Sequence, residues 1–409
     1  MLPGYVVFIV DVILARTTGG ITRPNDRWWK MTTITINQEV HLDFSYTVNF
    51  TQSAFAIDNH TLRDVLISPA RQNARLLVVV DENVAKSNVS LSKQILAYGE
   101  AHDLELLSPF IFSMGGEQVK QSMDIVEAIH LRVAEDNIDR HSYILVIGGG
   151  ALIDAVGYAA ATAHRGIRLV RMPSTVLAQN DAGIGVKNGI NYLDRKNFLG
   201  TFTPPYAVIN DVDLLASLDV RDKRAGIAEA VKVALIKDAE FFTELYTRRF
   251  ELRDFDAEAM QSMIVRCAQL HLVHIRDSGD PFELGTARPL DYGHWSAHAL
   301  ETISEYQLRH GEAVAIGIAI DTCYCALQGK ISEEQKEQVL TLLTDIGFSL
   351  CCDALKQLDI SAALQSFREH LGGALSITML DGIGTCEQVE TIDLPNLQAS
   401  VDYLLSLGE

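Results

Sequence analysis

The segment His141–Asp154, HSYILVIGGGALID, constrains the fold more than any other part of the chain. A run of apolar residues ends in three glycines, and an alanine-rich helical pattern follows. A buried strand that turns at glycine into a helix is typical of a parallel sheet with helices on its faces. The same turn lets a diphosphate approach the backbone at the start of the helix. A tight turn with a purely structural role is the alternative.

Strand-like and helical segments alternate through the first half of the chain. The apolar runs Arg75–Asp81, Gly166–Met172 and Tyr206–Asn210 predict further buried strands. This alternation predicts a doubly wound parallel sheet, and we assign residues 31–217 to one α/β domain. Residues 32–50 alternate polar and apolar side chains, which predicts edge strands or a hairpin.

Helical patterns dominate the second half of the chain. Residues 218–409 are therefore assigned to a mainly α-helical domain, in which only Leu375–Leu380 is strand-like. A cleft between the two domains is the expected site. Residues 1–30 precede the first well-patterned segment, which opens at Met31. We interpret them as an extension that is disordered or arises from a misassigned start.

Composition narrows the class of partner. The 409 residues carry a formal net charge of −19 and a pI near 5.0, which argues against nonspecific nucleic-acid binding. No run reaches the roughly 18 apolar residues that a membrane span needs. All six cysteines lie beyond residue 260 without the spacing of a secreted disulfide framework. Reduced thiols and a cytoplasmic location are therefore predicted.

The polar stretch Pro173–Gly200 lies between apolar strand-like segments and has little apolar periodicity, so neither helix nor strand is predicted for it. A stretch of this kind usually lines a pocket. Its candidate pocket residues are Asp181, Lys187, Asn188, Lys196 and Asn197.

Two spacings place charged groups on single helix faces. Glu117 and Lys120 are three residues apart. This spacing is typical of an exposed ion pair on a helix, but both residues could instead contact a ligand. Asp154 follows the glycine turn, in the first turn of the predicted helix. Its negative charge there either interacts favourably with the helix dipole or accepts a hydrogen bond from a ribose or nicotinamide group. Glu229 and Lys232 are also three apart, but their neighbours are apolar. A buried pair of that kind costs desolvation, so a functional task and a simple salt bridge both remain open.

Three histidines add a candidate metal site. His294 and His298 are four residues apart on one helix face, and His310 follows twelve residues later at the start of another helix. Histidine together with a carboxylate is a usual Zn²⁺ ligand set, and a catalytic site needs only three protein ligands. An interior Glu229 would complete such a set.

In their order, these motifs resemble the sugar phosphate cyclases of the dehydroquinate synthase superfamily. The shared motifs are GGExxK, GGGxxxD, PST, DxxxxxKN, KNxxG, ExxK, GHxxxH and HGE, and the resemblance covers about residues 45–405. It implies NAD in the α/β domain, and Zn²⁺ or Co²⁺ on Glu229, His294 and His310. The NAD contacts it implies are Asp81, Glu117, Lys120, Gly149, Gly150, Asp154, Ser174 and Thr175. The substrate contacts and catalytic groups it implies are Asp181, Lys187, Lys196, Asn197, Lys232 and His298.

The resemblance also implies the reaction and the assembly. Members of the superfamily are carbon–oxygen lyases that bind a sugar phosphate and are often homodimers. NAD⁺ takes a hydride from a substrate carbinol, which acidifies the neighbouring C–H bond, and phosphate is then eliminated. The hydride returns, the ring opens, and an intramolecular aldol step closes a carbocycle.

Three positions depart from dehydroquinate synthases proper. His271 stands where those enzymes have lysine, Asp291 stands where they have asparagine, and Arg288 lies in a segment about two residues longer. Histidine and aspartate hold a carboxylate poorly in place of lysine and asparagine. We therefore expect a phosphorylated ketose other than the carboxylated precursor of the shikimate pathway.

Within the superfamily, the closest resemblance is to the dehydroquinate-synthase-like proteins of the bacterial ebo cluster, through residues 367–379 and the segment around His310. The segment Arg288–Trp295 is similar to the valiolone-type and gadusol-type cyclases, cyclitol enzymes of secondary metabolism that use sedoheptulose 7-phosphate. The alternatives are 3-dehydroquinate synthase proper, a metal-dependent polyol dehydrogenase and a non-catalytic binding protein of the same fold.

Overall fold

A computed structural model describes residues 36–40, 42–67, 74–193, 195–283, 285, 289–370 and 375–408, the side chain of residue 370 excepted. The chain forms two compact units, Met1–Ser45 and Tyr46–Glu409. The predicted extension, residues 1–30, and Arg288 lie outside the described residues. All the structure that follows belongs to the second unit.

The first layer of the fold is a parallel sheet of six strands in the order β1-β8-β5-β4-β2-β3. Its strands are β1 (Thr47–Thr51), β2 (Arg75–Asp81), β3 (Glu105–Ser113), β4 (Tyr143–Gly148), β5 (Arg168–Pro173) and β8 (Ala207–Asp211). A hairpin of β6 (Lys187–Tyr192) and β7 (Arg195–Phe202) lies between β5 and β8 in the chain.

Helices cover both faces of this sheet. They are α1 (Thr61–Leu66), α2 (Glu82–Ser87), α3 (Leu91–Ala101), α4 (Asp124–Glu135) and α5 (Gly150–Thr162). Leu77 and Val79 of β2 join a core cluster with α4 and α5, whereas Leu76 and Val78 join a cluster with α1 and α3. Successive side chains of a strand point to opposite faces of the sheet, so β2 contributes residues to the hydrophobic cores on both faces. The doubly wound prediction is confirmed.

The order of the strands creates a crevice. The chain runs from β2 outward to β3, then returns across β2 and adds β4, β5 and β8 on the other side. The connections at the carboxyl ends of β2 and β4 therefore lead in opposite directions. Such a switch point is where open α/β sheets bind their ligands.

One prediction about strands is confirmed and another is wrong. The alternation over residues 32–50 predicts edge strands or a hairpin, and it ends in an edge strand, β1, which pairs parallel with β8. The prediction of neither helix nor strand for the next stretch is wrong. The polar stretch Pro173–Gly200 contains a helical turn, Ala178–Ala182, and most of the β6–β7 hairpin. In β6 the residues are polar or glycine except Ile190 and Tyr192, and in β7 Phe198 and Leu199 are adjacent, so neither strand has the apolar alternation that predicts a half-buried strand. Ile190 and Leu199 contact the core beside α5.

A buried arginine holds the path of this stretch. Arg171 of β5 is fully buried and donates hydrogen bonds to the carbonyl oxygens of Gly183 (3.1 Å), Gly185 (2.6 Å) and Lys187 (3.1 Å). Its guanidinium also donates to Asn188 Oδ1 at 2.6 Å. Burial lowers the Arg171 pKa to about 10, although Asp154 and Tyr46 act in the opposite direction.

The second half is mainly helical, as predicted, and packs around one large core. Its helices are α6 (Val220–Lys237), α7 (Ala239–Thr247), α8 (Arg249–Arg253), α9 (Ala257–Asp277), α10 (His294–Ile303), α11 (His310–Leu327), α12 (Glu333–Ile346), α13 (Ile360–His370) and α14 (Leu394–Ser406). The strand-like segment forms β9 (Ile377–Leu380), which pairs with an unpredicted strand, β10 (Cys386–Val389). No helix in the described part of the chain is long and apolar enough to span a bilayer.

Glycine allows the helices that carry the site to approach closely. A Cβ atom on Gly311 of α11 would lie 2.2 Å from the carbonyl oxygen of Ala225 in α6. Gly293 precedes α10 with a φ of +77°, and a Cβ there would lie 2.7 Å from the amide nitrogen of Ile318. Both contacts are with backbone atoms, which cannot rotate away as a side chain can.

We predict that Gly311→Ala destabilises the protein. Alanine favours a helix by about 1 kcal/mol over glycine. Overpacking costs about 1–3 kcal/mol or more, and a clash with backbone is at the upper end, so the clash should win. Thermal unfolding should therefore show a lower melting temperature.

The control is Gly185→Ala, where the nearest atom to a new Cβ lies 3.9 Å away. It should melt near the wild-type temperature. A Gly311→Ala protein as stable as wild type would contradict the close packing of α6 on α11.

Candidate active site

Three helices bring a carboxylate and two imidazoles together. Glu229 lies within an unbroken run of buried residues in α6, and His294 and His310 are the first residues of α10 and α11. The Nε2 atoms of His294 and His310 lie 3.5 and 3.3 Å from Glu229 Oε1. One potential ligand atom from each residue lies within 4.8 Å of the other two.

The Glu229 carboxylate fits a bound cation. The residue has no exposed surface, and neither of its carboxylate oxygens accepts a hydrogen bond with acceptable geometry. Lys232 Nζ is 2.5 Å from Oε2, an ion pair without hydrogen-bond angles. Burial raises the pKa of Glu229, but Lys232 and the two histidines outweigh it and hold that pKa well below its usual range. A buried anion with free lone pairs suits a divalent metal.

The remaining ring nitrogens face oxygen atoms. His294 Nδ1 lies 3.1 Å from the carbonyl oxygen of Tyr292, and His310 Nδ1 lies 3.3 Å from Glu301 Oε1, a close contact without hydrogen-bond angles. A proton on Nδ1 would leave the Nε2 lone pair of each ring available to a metal beside Glu229. Sequence reasoning missed Glu301. Its signal was the spacing of seven residues from His294, which places both side chains on one face of α10.

His298 lies beside the three residues but outside the ligand group. Its ring centroid is 5.6 Å from that of His294 and 6.3 Å from that of His310. Burial, with the neighbouring charges of His294 and Lys196, lowers the His298 pKa well below its usual value. The imidazole is therefore neutral at physiological pH, with one ring nitrogen that carries no proton.

A second pair, of an aspartate and a histidine, lies next to this cluster. Asp181 Oδ1 is 2.8 Å from His271 Nδ1. Burial raises the Asp181 pKa, but the charges of His271 and Lys232 outweigh it and the pKa falls. The Lys232 pKa is raised against the effect of burial, by Glu229, Asp181 and, more weakly, Asp291. Two of the three positions that depart from the dehydroquinate synthase pattern therefore adjoin the cluster.

The predicted NAD contacts lie along the carboxyl edge of the sheet. Asp81 ends β2 and accepts a hydrogen bond from the Asn83 amide at 2.8 Å. Gly149 and Gly150 begin α5, directly beyond β4. Ser174 and Thr175 directly follow β5, where the Ser174 amide donates to the Gly148 carbonyl oxygen at 2.9 Å. These positions flank the switch point of the sheet.

Polar contacts connect this edge to the hairpin. Lys120 is 2% exposed, and its Nζ atom lies 2.9 Å from Asp154 Oδ2 and also donates to Asn197 Oδ1. Glu117 Oε1 accepts from Asn191 Nδ2 at 3.1 Å. The Glu117–Lys120 spacing is therefore not an exposed ion pair, because each residue contacts a different partner.

The two hairpin lysines differ in their surroundings. Lys196 Nζ lies 3.3 Å from Glu301 Oε2, which brings it close to the cluster of Glu229, His294 and His310. The Lys187 side chain is 59% exposed and pairs with Glu283 at 2.5 Å. Lys187 is therefore a predicted catalytic group whose side chain is largely exposed.

Comparison with known proteins decides the family. The sequence families described as 3-dehydroquinate synthase N-terminal and 3-dehydroquinate synthase C-terminal match residues 111–225 and 226–370. A 2-epi-5-epi-valiolone synthase of Streptomyces glaucescens is 32% identical over 319 residues, which cover 77% of this chain and 82% of that one. The chain belongs to the dehydroquinate synthase superfamily. The predicted sugar phosphate cyclase, a phosphate-eliminating carbon–oxygen lyase, is confirmed at the level of this superfamily.

Other members of the superfamily are equally informative. A 3-dehydroquinate synthase of Syntrophotalea carbinolica is 37% identical over 298 residues, covering 70% of this chain and 78% of that one. The structure of a 2-epi-5-epi-valiolone synthase from Streptomyces hygroscopicus, with NAD⁺ and Zn²⁺ bound, superimposes with a TM-score of 0.80 at 28% identity. That match covers 93% of this chain and all of the other. The predicted fold class is confirmed.

A buried carboxylate holds the turn before His294. Asp321 of α11 is fully buried and accepts hydrogen bonds from Trp295 Nε1 at 2.8 Å and the Gly293 amide at 2.9 Å. Burial raises the Asp321 pKa to about 7, although these two donors lower it. The sequence contained no spacing that connects Asp321 to the GlyHis motif.

We predict a pH-dependent contribution of Asp321 to stability. Between its ordinary pKa of 3.8 and about 7, the folded chain holds a proton that the unfolded chain has released. The free energy of unfolding should therefore fall as pH rises through that window. Urea unfolding at pH 5 and pH 8 should show a smaller pH difference for Asp321→Asn, which cannot titrate.

Asp402→Asn, at an exposed position, is the control and should keep the wild-type pH dependence. The assignment to Asp321 is wrong if both variants retain the full difference between the two pH values.

Proposed function

We propose that the protein is an NAD- and metal-dependent sugar phosphate cyclase that closes a phosphorylated ketose into a carbocycle and releases phosphate. The observation that carries this proposal is the cluster of Glu229, His294 and His310, with free acceptor oxygens on a fully buried carboxylate. These donors suit Zn²⁺ or Co²⁺. The superimposed 2-epi-5-epi-valiolone synthase contains NAD⁺ and Zn²⁺, which supports the same pair of cofactors here.

The groups around the cluster would divide the chemistry. When bound, the metal would polarise a substrate oxygen, and NAD would take up and return a hydride. Lys232, buried beside Glu229, would stay protonated and stabilise negative charge that develops on the substrate. Neutral His298 would accept a proton from a substrate hydroxyl. Asp181, ionised against His271, would orient substrate hydroxyls.

The remaining polar groups would bind the cofactor and the phosphate. We assign residues 31–217 to NAD binding and residues 218–409 to metal and substrate binding. The start of α5 at Gly149 and Gly150 suits the diphosphate of NAD, because its backbone N–H groups are free of intrahelical partners. Lys187, Lys196 and Asn197 of the hairpin would bind the sugar phosphate. The remaining predicted NAD contacts are Asp81, Glu117, Lys120, Asp154, Ser174 and Thr175.

The substrate is proposed to be a neutral ketose phosphate such as sedoheptulose 7-phosphate. Asp291, which stands where dehydroquinate synthases proper have asparagine, adds a negative charge near Lys232 that would repel a carboxylated substrate. His271 is engaged with Asp181 and is not a free cation for a carboxylate. The second candidate is 3-dehydroquinate synthase proper, which the 37% identical relative of that name favours.

We further propose a cytoplasmic homodimer that acts in secondary metabolism. The six cysteines, all without a disulfide in the structure, support the reducing compartment. The homodimer and the metabolic role rest on the family resemblance.

We predict that the purified protein releases phosphate from sedoheptulose 7-phosphate in the presence of NAD⁺ and Zn²⁺ or Co²⁺. The carboxylated shikimate precursor, assayed in parallel, should release at least about tenfold less, a difference of about 1.4 kcal/mol in transition-state stabilisation. Phosphate assay and product mass give the result.

Asp291→Asn should reduce the difference in phosphate release between sedoheptulose 7-phosphate and the shikimate precursor, because it removes one negative charge near Lys232. Release from the shikimate precursor alone would establish the second candidate and contradict the role given to Asp291 and His271.

We predict that His310→Ala abolishes phosphate release because it removes one of three metal ligands. Metal content after dialysis should fall to a small fraction of the wild-type value. His60→Ala, at an exposed position outside the site, is the matched histidine control and should keep its metal. Full metal occupancy in His310→Ala would exclude His310 as a ligand.

A further inference from the structure

One carboxylate joins two parts of the site that the sequence motifs treat separately. Glu301 lies on α10, seven residues after His294, and its side chain is 7% exposed. Its Oε1 atom is 3.3 Å from His310 Nδ1, and its Oε2 atom is 3.3 Å from Lys196 Nζ. The partners lie on different elements, His310 nine residues later on α11 and Lys196 105 residues earlier on β7. Glu301 therefore contacts both the helical half and the hairpin.

The contact with His310 fixes the state of a metal ligand. A carboxylate beside Nδ1 favours the tautomer that carries its proton there, which leaves the Nε2 lone pair free, and it makes the ring more basic. His294 has only a backbone carbonyl oxygen at the equivalent place. Of the two groups that face the Nδ1 atoms of His294 and His310, Glu301 is therefore the charged one.

Lys196, the second partner of Glu301, lies next to residues that contact the predicted NAD site. Lys196 is followed on β7 by Asn197, whose φ of +53° differs from that of an ordinary strand residue. Asn197 Oδ1 accepts from Lys120, which pairs with Asp154 of α5 at 2.9 Å. The Lys196 side chain is 31% exposed, so its ammonium group can meet a ligand while Glu301 holds it.

We infer that Glu301 is a positioning residue that sets the metal ligand His310 and the substrate lysine Lys196 relative to each other. This inference rests on the proposed function. A carboxylate shared between the two cations holds both in one geometry. Its loss should loosen the metal site and the lysine together, whereas loss of the lysine should leave the metal site intact.

The experiment measures metal affinity without turnover. Apo protein is titrated with Co²⁺ against a competing chelator, and the Co²⁺ absorption spectrum is recorded for wild type and Glu301→Gln. Loss of such an outer contact typically weakens metal affinity by about 10–100-fold, and we expect that range with an altered spectrum. Lys196→Met should keep the affinity within about threefold.

Two controls separate this role from a general effect. Glu305→Gln removes a carboxylate at an exposed position just beyond α10, and it should bind Co²⁺ as wild type does. Melting of the metal-free proteins tests folding. If Glu301→Gln melts well below wild type, Glu301→Ala and Glu301→Asp are titrated instead, and the inference requires weakened binding in each variant that folds.

A double-mutant cycle tests the link to Lys196. If the two residues act together, the loss of kcat/KM in Glu301→Gln/Lys196→Met should be smaller than the product of the two single losses. Wild-type Co²⁺ affinity in Glu301→Gln would overturn the inference, and multiplicative losses would overturn the link. A wild-type protein that binds no metal, or binds it without releasing phosphate from any sugar phosphate, would instead contradict the proposed function.

Discussion

A fully buried carboxylate, Glu229, is the constraint on which the functional half of the structure depends. Removing a charged group from water is expensive, and partner charges must compensate for the lost hydration. Lys232 lies one turn away on α6, and His294 and His310 come from two other helices. The positions of α10 and α11 follow from this requirement, since each of them begins at the residue that faces the carboxylate.

Close backbone packing makes this arrangement possible. Gly311 follows His310 and lies against Ala225, one turn before Glu229 on α6. Gly293 precedes His294, and Asp321 binds its amide. Each histidine is therefore adjacent to a point where two backbones touch. Imidazole nitrogens only reach a shared carboxylate when their helices approach within such distances, so the packing of small residues and the chemistry of the site cannot be separated.

Much of this was predictable from local signals. Apolar runs identified strands such as β2, and helical periodicity identified most helices of the second half. Spacing on α10, with His310 at the next helix start, identified the histidines of the cluster. The roles proposed for them remain predictions that depend on a bound metal.

The unpredicted parts share a physical cause. The β6–β7 hairpin has no regular apolar alternation, and its register is seen only in its antiparallel pairing and its contact with α5. Glu301, Arg171 and Asp321 act through partners 9 to 105 positions away in the chain. No periodicity records such pairs. The helical pattern of the second half likewise hides the break between α6 and α7 at Asp238, whose carboxylate caps the start of α7.

The hydrogen bonds that Arg171 donates to the backbone before the hairpin affect which substitutions this part of the chain can accept. Arg171 binds the carbonyl oxygens of Gly185 and Lys187, atoms that every amino acid possesses. The backbone at these two positions therefore stays in place whatever side chains they carry. A Cβ atom at position 185 would meet His271 Nε2 at an ordinary contact distance of 3.9 Å. A small side chain can therefore replace Gly185 and reach His271, while the backbone that presents Lys187 keeps its course.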